Sequence, residues 1–127
     1  MSLQYTPAMQ SQELTFELLP SANPNEHTYR LNGPLVLNNM FAFQEVLRSE
    51  SASAVTILDL TNVPYIDSAG LGILTNSYVA HQRQARRLLF VGVNERVQTL
   101  FKLTTLDRLF EVFPTVESAR QAYSSAA

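Results

Sequence analysis

The chain has 127 residues, enough for one domain with one core, and its 46% apolar and 16% charged residues are those of a globular protein rather than a disordered one. A net charge of −2 lacks the concentrated basic surface that general binding to nucleic acid or an anionic membrane needs, and the absence of cysteine removes disulfides and thiolate chemistry. No run approaches the ~18 apolar residues of a spanning helix, and the N-terminus lacks a basic segment followed by an apolar one, so the chain reads as a soluble cytoplasmic protein.

Residues 1–12 are polar with scattered apolar positions and no clear period, and read as a loose arm ahead of a single domain over residues 13–127. Residues 13–19 predict a strand closed by Pro20, and Ser21 to Glu26, with Asn23, Pro24 and Asn25, are turn chemistry. Residues 27–32 predict a second strand, with Tyr29 and Leu31 inward and Thr28 and Arg30 outward, pairing with the first as a hairpin. Gly33-Pro34-Leu35-Val36 breaks the pattern. Asn38 or Asn39 is placed to cap a helix in which Met40, Phe43 and Leu47 fall at i, i+3, i+7, and which fades over residues 49–53.

Val55, Ile57, Leu58 and Leu60 make both alternating faces of the next strand apolar, as in a central strand covered on two sides. Pro64 cannot donate to a ladder, so the strand ends before it. Asp67 and Ser68 are both good N-cap residues, and Leu71, Leu74 and Tyr78 then share one helical face. Ser68 therefore sits at or within one residue of a helix N-terminus, where unpaired N–H groups and the macrodipole tolerate an anion such as phosphate. Gly70 and Gly72 cost that helix about 1 kcal/mol each relative to Ala, which suggests a reason other than propensity: close approach of another backbone or a bulky partner. The helix ends in Gln82-Arg83-Gln84-Ala85-Arg86-Arg87, read either as a solvated basic helix end or as a contact for an acidic partner.

A second apolar strand covers residues 88–93, broken by Gly92. Asn94 caps a third helix with Val97, Leu100, Phe101 and Thr104 on one face; residues 109–113 form a short strand before Pro114. Thr115 with Ser118 opens a last helix that aligns Val116, Ala119 and Tyr123. Alternating strands and helices imply parallel pairing with right-handed crossovers. With the leading antiparallel hairpin, the fold class is α/β: a mixed sheet of about five strands with about four α-helices.

The candidate chemistry narrows quickly. A hydrolytic serine needs a base, but His81 lies roughly 20 Å from Ser68 along the helix axis and His27 is on an early strand; both read as surface or partly buried polar residues. Gly-x-Ser-x-Gly is missing because Ile66 holds the first glycine position, so the chain does not read as an enzyme. Metal-ligand spacing, the third glycine of a dinucleotide fingerprint and a phosphate-loop lysine are all missing, so neither metal nor cofactor is expected. A phospho-acceptor receiver would use Asp59 or Asp67 with a lysine after its last strand, whereas Lys102, the single lysine, falls inside a predicted helix. Asp59 reads as closing the central strand. On spacing alone, Asp67 and Ser68 are either plain caps or, functionally, a carboxylate that orients a serine hydroxyl.

The hexamer Asp67-Ser68-Ala69-Gly70-Leu71-Gly72, preceded by a buried strand and followed by an amphipathic helix, closely resembles the signature of the STAS domain. Within that family the chain is most similar to the bacterial anti-sigma factor antagonists, over about Tyr29 to Tyr123. The resemblance implies the STAS-type mixed sheet. It also implies partner binding by Asp67, Ser68, Ala69, Gly70, Leu71 and Gly72, and phosphorylation of Ser68 by an anti-sigma factor that is itself a serine kinase with a GHKL-type ATPase fold. The unphosphorylated protein would bind that partner and free the sigma factor; the phosphorylated one would release it. Ala69 stands where many relatives carry a second hydroxyl. Pro34 and Val36 stand where relatives usually carry acidic residues near the partner-binding face. The same resemblance admits a second reading, a non-switching STAS scaffold or subunit of a larger regulatory or transport-linked assembly in which Ser68 is only a cap.

Overall fold

Strand β3 (Val55–Asn62) organises the molecule, because its first six residues are all buried and its two faces feed two separate cores. In the computed structural model, which describes residues 13–49 and 53–125, Leu58 and Leu60 face one side together with Leu88 and Phe90. Val55 and Ile57 face the other with Leu89 and Val91. This alternation is the period of a pleated strand read through two apolar faces.

Strands β2 (Glu26–Asn32) and β4 (Arg87–Val91) flank β3 in parallel, with Glu26 and Arg87 both opposite Val55. The β2 register slips between Arg30 and Asn32. Strand β5 (Glu111–Phe113) extends the parallel set beyond β4, and β1 (Thr15–Leu19) closes the other edge antiparallel to β2. The spatial order is β1-β2-β3-β4-β5, the mixed sheet expected from the sequence. Helices α1 (Met40–Ser49), α2 (Ser68–Arg83) and α3 (Glu95–Leu103) link successive parallel strands. They bury Met40, Phe43, Leu74, Val97 and Phe101 in the larger core. The last helix, α4 (Val116–Ser125), covers the opposite face through Ala119, with Val116 and Tyr123 beside it. The starts of α1, α2 and α3 consequently gather at the carboxyl ends of the parallel strands, the edge where open α/β sheets place their sites.

Two caps follow the expected chemistry. Asn94 Oδ1 accepts from the Val97 amide at 2.8 Å, and Thr115 and Ser118 bond reciprocally at the start of α4. Other details differ from the sequence reading. A 3-10 turn at Leu37–Asn39 runs straight into α1, and the Asn39 side-chain amide donates to the Pro34 carbonyl at 2.8 Å. Thr28, expected outward, is fully buried, and Glu26, expected in the turn, is the buried first residue of β2. The cause is α4, which folds back over that face. A 3-10 turn at Leu106–Arg108 delays β5, leaving Leu109 outside the strand and exposed. The arm read at residues 1–12 lies outside the described residues.

The Glu26 carboxylate joins α4 to β2. Its side chain is shielded from water and accepts from Arg120 Nη2 at 2.9 Å, from Arg120 Nε, from the Tyr123 hydroxyl at 2.5 Å and from the Thr28 hydroxyl at 2.5 Å. Burial alone raises the carboxyl pKa, but the hydrogen bonds from Arg120, Thr28, Tyr123 and Ser21 outweigh it and hold the group below its ordinary value. A depressed carboxylate contributes stability that is complete above the unfolded-state pKa near 4.5 and is lost as pH falls through the folded value. We expect Glu26→Gln to lower unfolding free energy at pH 7 by about 3 kcal/mol, since it strands a partly buried guanidinium. In urea titrations the gap between wild type and Glu26→Gln should narrow steadily below pH 4.5. A gap that stays constant down to pH 3 would show that the carboxylate charge is not what joins α4 to the sheet.

Candidate functional site

The loop from β3 to α2 is fixed by the segment that leaves β2. Leu35 forms an isolated parallel bridge with Ile66; its N–H donates to the Tyr65 carbonyl at 3.1 Å, and its own carbonyl accepts from the Asp67 amide at 3.0 Å. Asp67 is therefore extended (φ −95°, ψ −175°) and stands as the N-cap of α2. Its Oδ1 accepts from the Gly70 amide at 2.9 Å. Its Oδ2 accepts from the Leu37 amide at 3.1 Å, at the 3-10 turn that leads into α1. One carboxylate thus satisfies donors at two helix starts.

That geometry settles the cap. Asp67 caps and Ser68 does not: Ser68 is the first residue of α2, exposed, and its hydroxyl has no hydrogen-bond partner among the described residues. No hydrogen bond joins Asp67 to that hydroxyl among the described residues; its two oxygens accept from the Leu37 and Gly70 amides. Gly70 and Gly72 divide their work. Gly70 is buried, and a β-carbon there would lie 2.2 Å from the Leu35 carbonyl oxygen, so the close approach it permits is internal. A β-carbon at Gly72 would meet nothing within 4 Å, so that side of the helix start is open.

The ground around Ser68 is apolar. Leu103, Phe41 and Leu37 are the three most exposed large apolar side chains among the described residues, at 78%, 75% and 70%. Leu37 touches Asp67 through its amide, and Phe41 follows one helical turn later. Leu103 lines a cleft of about 380 Å³ with Tyr65, Asp67, Arg96 and Leu100. Residues 34–41 carry no charge; Pro34 is buried and Val36 half-buried. Sequence reasoning did not single out this rim. Its signal was present, since Phe41 lies off the Met40/Phe43/Leu47 stripe and Leu103 off the Val97/Phe101 face.

The remaining candidates lie elsewhere. His81 is buried, not on the surface, with Nδ1 2.7 Å from the Ser77 carbonyl and Nε2 3.0 Å from the Thr56 hydroxyl. Burial lowers its pKa, the Ser77 carbonyl works against that, and the charge of Arg86 adds to the lowering. A neutral imidazole a dozen residues along α2 is no base for Ser68. The basic run at residues 82–87 is not one patch: residues 82–85 form an exposed helix end, as the solvated reading expected, whereas Arg86 and Arg87 are half-buried. The helix stops at Arg83, Arg86 donates to the Ser53 carbonyl, and Arg87 is in β4, 2.6 Å from Glu111. Asp59 sits buried at the end of the core strand, held by Arg30 at 3.1 Å and by the Thr61 amide and hydroxyl. Among the described residues no group of His, Cys, Asp or Glu is arranged to hold a metal.

The two glycines give a direct check of this geometry. Gly70→Ala forces the Leu35 backbone away and should destabilise the protein by about 3 kcal/mol in chemical denaturation. Gly72→Ala should stabilise it by roughly 0.5 to 1 kcal/mol, because an unhindered helical glycine gains only propensity. Equal effects at the two positions would mean that the Leu35 contact is not tight.

An anti-sigma-B factor antagonist from Staphylococcus epidermidis is 34% identical over 86 residues, covering 65% of this chain and 79% of that protein. The intermembrane phospholipid transport system binding protein MlaB from Escherichia coli is 32% identical over 79 residues, covering 62% of this chain and 80% of the relative. Among solved structures, the Bacillus cell fate determinant SpoIIAA in its phosphorylated form superimposes with a TM-score of 0.68 at 17% identity, over 86% of this chain and 99% of that one, a likeness of fold. The model of the STAS domain matches residues 20–119, and the chain belongs to the STAS domain family.

Proposed function

We propose that this protein is an anti-sigma factor antagonist whose binding is switched by phosphorylation of Ser68. The observation that carries the reading is the state of that serine: exposed, first in its helix, and relieved of capping by Asp67. A kinase can reach a hydroxyl held this way without unfolding the helix start. The similarity to anti-sigma-B factor antagonists supports an anti-sigma factor as the partner; in this reading that partner is also a serine kinase with a GHKL-type ATPase fold. The partner-binding residues are Asp67, Ser68, Ala69, Leu71 and Gly72, with Gly70 acting from inside to hold the loop. The protein works in the cytoplasm as a binding module, not as an enzyme, and needs no cofactor.

The physics of the switch is local. Unphosphorylated, the helix start offers a surface whose carboxylate is already satisfied and whose rim is Leu37, Phe41 and Leu103. Phosphorylation adds about 1.5 to 2 negative charges there. At a packed apolar contact that charge is desolvated and repelled by Asp67, while the α2 dipole keeps the modified protein folded.

A second reading has its own support. The apolar rim and the uncharged positions 34 and 36, together with the similarity to MlaB, suit a constitutive subunit of a transport-linked assembly. A pull-down from source-organism lysate with ADP present separates the two. Wild type and Gly72→Ala, which keeps the fold but adds bulk at the open side of the helix start, are compared with Ser68→Asp. The switch predicts that wild type captures an ATPase-fold kinase and that Ser68→Asp captures it about tenfold less or worse. Gly72→Ala should weaken capture without lowering thermal stability. Retention of the same partners by wild type and Ser68→Asp, or recovery of transport components alone, replaces the switch with the scaffold.

A further inference from the structure

We infer that Arg96 is the counter-ion for a phosphate on Ser68, drawing the modified serine into the Tyr65 cleft on the α3 side of the site. The inference rests on the phosphorylation proposed above and adds where the phosphate goes. Arg96 is placed in a way that its own helix does not explain. It lies in the first turn of α3, at the positive end of the macrodipole, where a cation is disfavoured by a few tenths to about 1 kcal/mol. Its guanidinium carbon sits 5.1 Å from the centre of the Tyr65 ring, which offsets part of that cost. Arg30, Arg48, Arg87 and Arg120 are paired with Asp59, Glu45, Glu111 and Glu26, whereas Arg96, like Arg83, Arg108 and Lys102, forms no ion pair with a carboxylate of the described residues; of these four, Arg96 is the one that lines the cleft beside Asp67.

The approach to Ser68 is built into the frame. Asn94 caps α3 and also donates to the Val63 and Pro64 carbonyls at 3.2 Å, which fastens the start of α3 to the loop that ends in Ser68. Arg96 and Asp67 line the same cleft, and Ser68 is the exposed next residue. Because both Asp67 oxygens accept from amides, that carboxylate remains a fixed neighbouring anion, and Glu95 is a second anion beside Arg96 on α3. Arg96 is the cation that lines this cleft, and its planar fork suits two phosphate oxygens. The bound phosphate then covers the cleft that Leu100 and Leu103 line, so that modification fills a part of the docking surface as well as charging it.

The test installs phosphoserine at position 68 during translation, without any kinase, and follows the phosphorus NMR shift against pH in full-length wild type, Arg96→Gln, Arg96→Lys and Arg83→Gln. The second ionisation of the phosphate should fall near pH 6 in Arg96→Gln and about half a pH unit lower in wild type. Arg96→Lys should recover part of the difference, and Arg83→Gln, at the far end of α2, should titrate like wild type. Identical curves for wild type and Arg96→Gln overturn the assignment, as does an equal displacement in Arg83→Gln. Because no partner is involved, a failed lysate capture counts against the switch and leaves this result standing.

Discussion

The Asp67 carboxylate ties together the parts of this molecule that would otherwise meet only through apolar packing. One oxygen ends the loop after β3 by capping α2; the other reaches the Leu37 amide at the entrance to α1. The Leu35 carbonyl completes the junction from below by accepting from the Asp67 amide and pressing against the bare α-carbon of Gly70. Two helix starts and one crossover are therefore referenced to a single side chain, and the exposed surface above them inherits that rigidity. Ser68 projects from a fixed platform.

The sheet beneath explains why the platform is at this edge. β3 is buried on both faces and its neighbours β2 and β4 run parallel to it, so they are reached by crossover helices, and every such helix begins at the carboxyl end of a strand. Three of the four helices lie on one face, which leaves the other to α4 alone. A single helix covers little area, and the polar cluster of Glu26, Arg120 and Tyr123 adds directional bonds where apolar contact is thin. His81 does related work at the far end of α2, joining it to Thr56 of β3. The molecule is thus anchored by polar contacts at the end opposite the site, and Ser68 itself is left without any.

Much of this was legible in the residues. Val55 to Leu60 announced a doubly covered strand, Asn94 and Thr115 announced their helices, and the order Asp67-Ser68-Ala69-Gly70 marked a helix start. What escaped was whatever depended on a distant segment. Thr28 was misplaced because nothing near it in the chain says that α4 returns over β2. The acceptor for the Leu37 amide comes from thirty residues away, and no local pattern announces it. Gly70 and Gly72 are indistinguishable in a hexamer and opposite in space: one is closed by Leu35, the other open to solvent. Local chemistry is written locally, and long-range pairing of a lone Asp or Gly is not.

The same geometry limits how a modification at Ser68 can act. Each Asp67 oxygen accepts from a backbone amide, Gly70 packs closely on Leu35, and Asn94 holds α3 against the loop. A conformational relay from Ser68 would have to break bonds that set two helix starts, at a cost well above the few kcal/mol that one phosphate contributes through charge-assisted contacts. The cheaper response is at the surface: a change in charge and shape on an otherwise apolar rim. Under the proposed switch, a partner docked on Leu37, Phe41 and Leu103 would sense the phosphate directly, by desolvation and by exclusion from the cleft, and not through the fold.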